Sequence, residues 1–434
     1  MGLEKKDVYS NPKSSMLMSA LMMGLGQAYN KYFLKGFLFF IVELLFVLNI
    51  GKIMQRILGL ITLGDKPQQM VNFKVVQGDH SIFMMVDGSI SLIILIIFIG
   101  VYIFNIIDAK QCFLQKGKKE KDLKKYLYDI YDQNFIKLML IPGALAVVFF
   151  VLLPIFITVL VAFTNYSSPN HIPPRNLVDW VGFKNFINIF ELKIWSETFI
   201  KLGIWTVIWA VCSTMLNYTC GLILALLTSR NDIKFKKLWR TIYILPYAIP
   251  GFVSLLVFRL MFSGVGPINN LISSLGLEKM PFFTDSTMAK VMLLLINTWL
   301  GAPYFMVLIS GALTNIDGAM YEAAEIDGAS RWQQFKEITL PILLLQTSPV
   351  LILTFAFNFN NFSAVYLLTG GGPINSEYRY AGSTDILITW VYKLTKEQSQ
   401  YNIASVISII LFIFIASISS WNFIKSKSFK EDSE

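Results

Sequence analysis

The sequence predicts an all-α fold, a polytopic membrane protein with about eight transmembrane helices, and three observations predict it. The 434 residues are 55% hydrophobic and 15% charged, with a mean hydropathy of +0.57, too apolar and too weakly charged for a soluble globular protein. The apolar residues gather into eight runs, each near the roughly 20 residues a helix needs to cross the hydrocarbon core. No strand-rich segment stands between those runs.

In order, the runs are Leu34 to Ile53, Ile90 to Ile107, Leu138 to Phe163, Phe199 to Leu226, Leu238 to Phe262, Val291 to Leu313, Ile342 to Leu368 and Ile403 to Phe423. A shorter apolar stretch, Met16 to Ala28, precedes them within the N-terminal segment 1–33. It carries Gly24 and Gly26 and no small-residue cleavage site, which fits an interfacial helix rather than a signal peptide. The first two runs form a peripheral hairpin over 34–107, whose outer loop, Met54 to Ser89, is modest and polar. A lysine-rich connector, 108–137, leads into a core spanning 138–423. After the third run, Thr164 to Thr198 carries Pro169, Pro173 and Pro174 and is too short for a separate domain. In the fifth run Pro246 and Pro250 lack backbone N–H groups, and each kinks or breaks the helix. Gly370, Gly371 and Gly372 after the seventh run predict a mobile outer loop. The charged tail 424–434, closing in SKSFKEDSE, is expected to be loosely ordered.

Lys and Arg crowd the loops on the side of the termini and thin out on the other. The positive-inside rule therefore puts both termini, the connector, the Arg230 to Arg240 loop and the 321–341 insert in the cytoplasm. Basic loops beside anionic headgroups of the membrane lipid account for the net charge of +9 without a nucleic acid partner. Of the three cysteines, Cys112 lies in the connector, and Cys212 and Cys220 sit eight residues apart on one helix, too far for a disulfide. His80 and His171 fall in outer loops without the partners that a zinc or acid–base site needs. No catalytic residue, metal or other cofactor is expected. Glu43 lies mid-run; a lone carboxylate without a relay fits pairing with a polar neighbour better than proton coupling. Arg259 sits near an outer end and can snorkel.

Between the sixth and seventh runs stands YEAAEIDGASRWQQFKEITLPIL, Tyr321 to Leu343. It is polar and helix-prone, and it must leave the membrane. Gly328 breaks it into two short helices, because a residue without a Cβ takes the left-handed turn that ends the first. Ser330 caps the second and Gln333 completes a capping box, while Pro341 suits the first turn of the next membrane helix. In the seventh run, Phe355 to Phe362 reads FAFNFNNF. Asparagines in a membrane helix need polar partners or a wet cavity. Asn358 and Asn361, three apart, share a helical face with Phe357 adjacent. Two uses fit: amides with an aromatic suit a carbohydrate, whose hydroxyls bond the amides while a ring face packs on the aromatic, and amides also join helix to helix.

The insert's spacing, Glu322, Ala323 and Ala324, then Gly328, then Ile338, Leu340 and Pro341, resembles the signature loop of bacterial ABC importer permeases. With ILPYAIPGFVSLLVF at Ile244 to Phe258, NTWLGAPYFMVL at Asn297 to Leu308, FAFNFNNF and LLTGGGP at Leu367 to Pro373, the chain resembles the larger permease of maltose and maltodextrin importers. The likeness is strongest from Phe199 onward. It implies an ABC importer type I permease fold, in the cell membrane, translocating maltose or maltodextrin by alternating access; another oligosaccharide or a glycoside is the alternative, and an ion-coupled secondary transporter a more distant one. It implies as partners a second permease subunit, two ATP-binding subunits and an extracellular sugar-binding protein. ATP falls to separate subunits, since this chain has no GxxxxGK[ST] loop. The implied sugar contacts are Tyr247, Asn297, Leu300, Gly301, Tyr304, Phe357, Asn358 and Asn361. The implied coupling residues are Glu322, Ala323, Ala324, Gly328, Ile338, Leu340 and Pro341. Two departures stand out: a large outer domain of some relatives is missing, and Gly251 replaces a family serine.

Overall fold

The computed structural model describes residues 12–71, 74–114, 135–136, 139–172, 176–230 and 233–425. Most of the lysine-rich connector and the SKSFKEDSE tail lie outside the described residues. The chain divides into two compact units, Met1–Val181 and Gly182–Glu434. The third run therefore falls in the first unit, whereas the sequence groups it with the core.

The first unit opens with α1 (Pro12–Leu21) and α2 (Leu25–Tyr29), followed by α3 (Phe33–Thr62). A short antiparallel hairpin, β1 (Gln69–Val71) and β2 (Lys74–Val76), precedes α4 (Ser81–Leu114). The unit's last long helix is α5 (Met139–Ala162). Helices α3 and α4 run well past their predicted apolar runs. They reduce the expected outer loop from Met54–Ser89 to 63–80, and that loop contains the only strands among the described residues. The faces of α3, α4 and α5 are apolar and exposed, the arrangement of helices that meet lipid.

The N-terminal helices are tied down by polar groups that no hydropathy plot reveals. Gln27 donates to the Asn105 carbonyl at 2.9 Å, Asn105 donates to the Ser19 carbonyl at 3.0 Å, and Lys35 pairs with Asp108 at 2.9 Å. Ser15 donates to the Ala109 carbonyl at 3.0 Å. Buried polar groups need such partners, so α1 and α2 are held against α4 by a closed network. Glu43 accepts from the Met23 amide at 2.8 Å, which supplies the polar neighbour expected of it. The outer segment after α5 folds back on this unit, with Trp180 donating to the Ile61 carbonyl at 2.9 Å and Val178 donating to Ser81 at 3.0 Å.

The second unit contains α6 (Lys184–Glu191), α7 (Lys193–Ser229), α8 (Lys236–Ala248), α9 (Gly251–Met261), α10 (Pro267–Ser274) and α11 (Ser286–Thr314). Beyond them come α12 (Gly318–Ile326), α13 (Arg331–Phe359), α14 (Phe362–Thr369), α15 (Leu387–Lys396) and α16 (Tyr401–Lys425). Helices α7 and α11 form its spine and make its most extensive helix contact. Two apolar clusters line that spine, one around Trp205, Trp209, Leu293 and Val365, the other around Leu222, Phe305, Ile309 and Leu343.

The break expected in the fifth run is present, and two other expectations are corrected. The fifth run is not one helix: α8 and α9 meet at 91°, because Pro250 forces Ile249 into an extended conformation. Pro246 stays inside α8. The seventh run is also split, with α13 ending at Phe359 and Asn361 capping α14 through its side chain, so Asn358 and Asn361 do not share one helix. The glycine loop is anchored rather than mobile. The Thr384 amide donates to the Gly371 carbonyl at 3.1 Å, and its hydroxyl donates to the Gly372 carbonyl at 2.6 Å.

Among the described residues, seven helices are long and apolar enough to span a membrane, and eight if the bent pair counts as one span. Two carry a π turn, Val148–Leu152 in α5 and Phe335–Thr339 in α13. Each turn is followed by Leu-Pro, at Pro154 and Pro341. A proline ring clashes with the carbonyl four residues back, and widening the turn before it relieves that clash.

Candidate functional site

The proline break between α8 and α9 and the asparagine break between α13 and α14 both interrupt helices beside α11. Tyr247 on α8 lies against Tyr304 on α11, ring centroids 6.2 Å apart and 28° from parallel. Both rings are exposed, Tyr247 by 61%. Phe357, at the end of α13, is 67% exposed. An apolar side chain this open beside polar groups offers a face on which a sugar ring can pack.

The amides divide by role. Asn361 uses its oxygen to cap α14 at Ala364 and its nitrogen to reach Asn297 Oδ1 at 3.3 Å. This bond joins the α13–α14 break to α11. The Asn358 side chain is buried and donates to Thr214 on α7 at 3.0 Å, while the Asn358 carbonyl accepts from Trp209 Nε1 at 3.0 Å. Of the two uses its type allows, joining helices is the one it serves here. Asn360, which the sequence reading did not single out, is exposed at the break. Leu300 packs on the Trp205 cluster. Gly301 is half-exposed and covers the buried Asn217 amide of α7, where a Cβ would fall within 2.8 Å of Oδ1. Gly251 has open space at its Cβ position, with no contact among the described residues within 4 Å of it. No charged residue belongs to this set.

The insert forms the expected two-helix knob. Asp317 caps α12 by accepting from the Ala319 amide at 3.0 Å. Gly328 has φ +78°, and the Ala329 amide donates back to the Ala324 carbonyl at 2.9 Å, closing a left-handed helix end. Ser330 and Gln333 make the capping box, the Ser330 amide donating to Gln333 Oε1 at 2.8 Å. One feature differs from expectation: the second helix does not stop before the membrane helix but runs into it through the π turn that holds Ile338, with Leu340 and Pro341 directly after. Tyr321 adds a tie that the motif does not announce, its hydroxyl 2.8 Å from that of Thr339. Glu322, Ala323 and Gly328 are exposed, and Ala324 is half-buried.

Residues 217–425 match the family model described as binding-protein-dependent transport system inner membrane component. The galactooligosaccharides transport system permease protein GanP of Bacillus subtilis (strain 168) is 38% identical over 96% of this chain and 98% of its own length. The maltodextrin transport system permease protein MdxF of the same organism is 38% identical over 98% of this chain and 99% of its own length. The chain belongs to the binding-protein-dependent transport system inner membrane component family. This inner membrane component also shares its fold with a chain of a bacterial ABC transporter involved in the import of the acidic polysaccharide alginate. That likeness has a TM-score of 0.56 and 24% identity, covering 70% of this chain and 99% of that one. Family membership makes the chain a multi-pass membrane permease subunit.

Proposed function

We propose that this permease carries a neutral oligosaccharide, maltodextrin or maltose, through the cell membrane as one half of a permease heterodimer. Two separate ATP-binding subunits supply the hydrolysis, and an extracellular sugar-binding protein delivers the cargo. Both termini and the 321–341 knob face the cytoplasm. Tyr247, Asn297, Leu300, Gly301, Tyr304, Phe357 and Asn361 form the sugar site, and Asn358, bonded to Thr214, braces the helix break behind them. Glu322, Ala323, Ala324, Gly328, Ile338, Leu340 and Pro341 form the coupling element. The observation that carries this reading is the exposed Tyr247–Tyr304 pair on α8 and α11 beside the Asn297–Asn361 amide pair at a helix break, with no charged side chain in the set. Aromatic faces and neutral amides suit uncharged sugar rings, whereas an acidic sugar calls for cations. The α13–α14 break lets the site change shape without unfolding a helix. ATP-driven closure shifts the balance between outward and inward forms only through its different affinity for the two.

The test is maltotriose-stimulated ATP hydrolysis in liposomes holding this chain with its co-permease, ATP-binding subunits and binding protein. Wild type is expected to respond, and Glu322→Lys and Gly328→Val to lose most of the response while the permease pair still assembles. Robust sugar uptake without any ATP-binding subunit sinks the reading. A second cargo, galactooligosaccharide, is favoured by the equal identity to GanP, and a higher stimulation by that sugar than by maltotriose selects it. Glu43→Gln keeps an oxygen acceptor for the Met23 amide, so uptake is expected to stay within about twofold of wild type. Loss of uptake in that variant instead favours ion coupling.

A further inference from the structure

Two amides at the heart of the second unit each leave one buried atom without a partner. Asn217 on α7 is 4% exposed and its Oδ1 accepts no hydrogen bond; Asn297 on α11 is 7% exposed and its Nδ2 donates none. A buried polar atom without a partner is costly and rare, so each needs a reason. The Asn297 orientation is fixed, because its Oδ1 is taken by Asn361. Gly301, one helical turn after Asn297, lies on the same face of α11. All three atoms of the Asn217 amide group lie within 2.8 Å of where a Gly301 Cβ would stand, so only glycine admits that amide. The Asn217 amide occupies the space that a side chain at 301 would take, on a half-exposed stretch of α11.

We propose that Asn217 is a further sugar-recognising residue, reaching the cargo through the gap at Gly301. The chemistry names the ligand group. One orphan is an acceptor and the other a donor, and a sugar hydroxyl, which both donates and accepts, can answer either. Gly301 then serves the site by what it lets through rather than by touching sugar itself. The residue stands outside the motifs that resemble the family, on a helix whose apolar length hides it. This inference rests on the sugar-permease reading above and assigns it a specificity determinant.

The test uses the complete importer in proteoliposomes, with binding protein at saturation, and compares uptake of maltotriose with maltotriose analogues each lacking one hydroxyl. Wild type is expected to discriminate against at least one analogue by about tenfold, the loss of one well-placed hydrogen bond. In Asn217→Ala that discrimination is expected to fall to within about twofold. Gly301→Ala, whose methyl pushes the amide aside, is expected to lose it as well, and carries the test if Asn217→Ala does not assemble. A variant that assembles, melts at a lower temperature and keeps wild-type discrimination assigns Asn217 to packing and overturns the proposal. A wild-type importer that takes up no maltotriose overturns the maltodextrin reading on which the proposal rests, an outcome distinct from unchanged discrimination in the variants.

Discussion

Replacing Ile326 with Asp and Trp332 with Ala is expected to strip the ATP-binding subunits from the purified complex while this chain and its co-permease stay together. Ile326 is 88% exposed and Trp332 68% exposed, on either side of Gly328. Ile326 ends α12 and Trp332 stands in the first turn of α13, and large apolar side chains this open on a polar knob mark a contact surface. The knob is pre-shaped for docking: Asp317, the Gly328 turn and the Ser330–Gln333 box fix its backbone, so little ordering entropy is lost on binding. A tryptophan buried in an interface commonly contributes roughly 2 kcal/mol or more, about thirtyfold in affinity. Subunit stoichiometry after gel filtration reads the result, and unchanged stoichiometry with unchanged stimulated ATPase sinks this surface as the dock.

Lys393→Met is expected to destabilise the second unit by roughly 3–5 kcal/mol, the usual cost of leaving a buried charge without its partner. Asp385 is fully buried and its Oδ2 accepts from Lys393 at 2.6 Å and from the Gly382 amide at 2.7 Å. Gly371 packs on the Asp385 carboxylate, and Thr384 holds the Gly371 and Gly372 carbonyls, which together turn three glycines into an ordered outer loop. Adding Asp385→Asn to Lys393→Met removes the unpaired charge and is expected to recover most of the loss. Melting temperature of the purified complex checks both. An unchanged melting temperature in the single variant contradicts the assignment of the pair as the loop's anchor.

Hydropathy located every long helix, because lipid demands apolar length and little else. It could not find the breaks. Pro246 and Pro250 look alike in sequence, yet only the second interrupts the backbone, with Ile249 before it in the extended conformation that a following proline favours. The asparagine break was hidden for a different reason: Asn361 reads as another polar residue in a helix, and its capping of Ala364 appears only once the chain is seen to stop at Phe359. The two-helix shape of the 321–341 knob was legible almost residue by residue, because capping is local chemistry. Asn358 was legible in type and not in use, as a buried amide joining Thr214 and a cavity-facing one leave the same letters. Gly301 was visible, but the Asn217 amide that explains it lies on another helix more than eighty positions earlier, where no local pattern points. The glycine loop misled because three flexible residues were judged without Thr384 and Asp385, which hold them.

The π turn at Phe335–Thr339 has a geometric meaning for the whole of α13. It adds one residue to the helix without adding a turn, and one residue is about 100° of helical phase. The side that Trp332 and Gln333 present below the turn and the side that Phe357 and Asn358 present above it are therefore set at an angle that no uninterrupted α-helix of this sequence can produce. Pro341 locks that offset in place. The knob and the far end of the same helix are thus aimed independently, as two hands of a clock are set on one spindle.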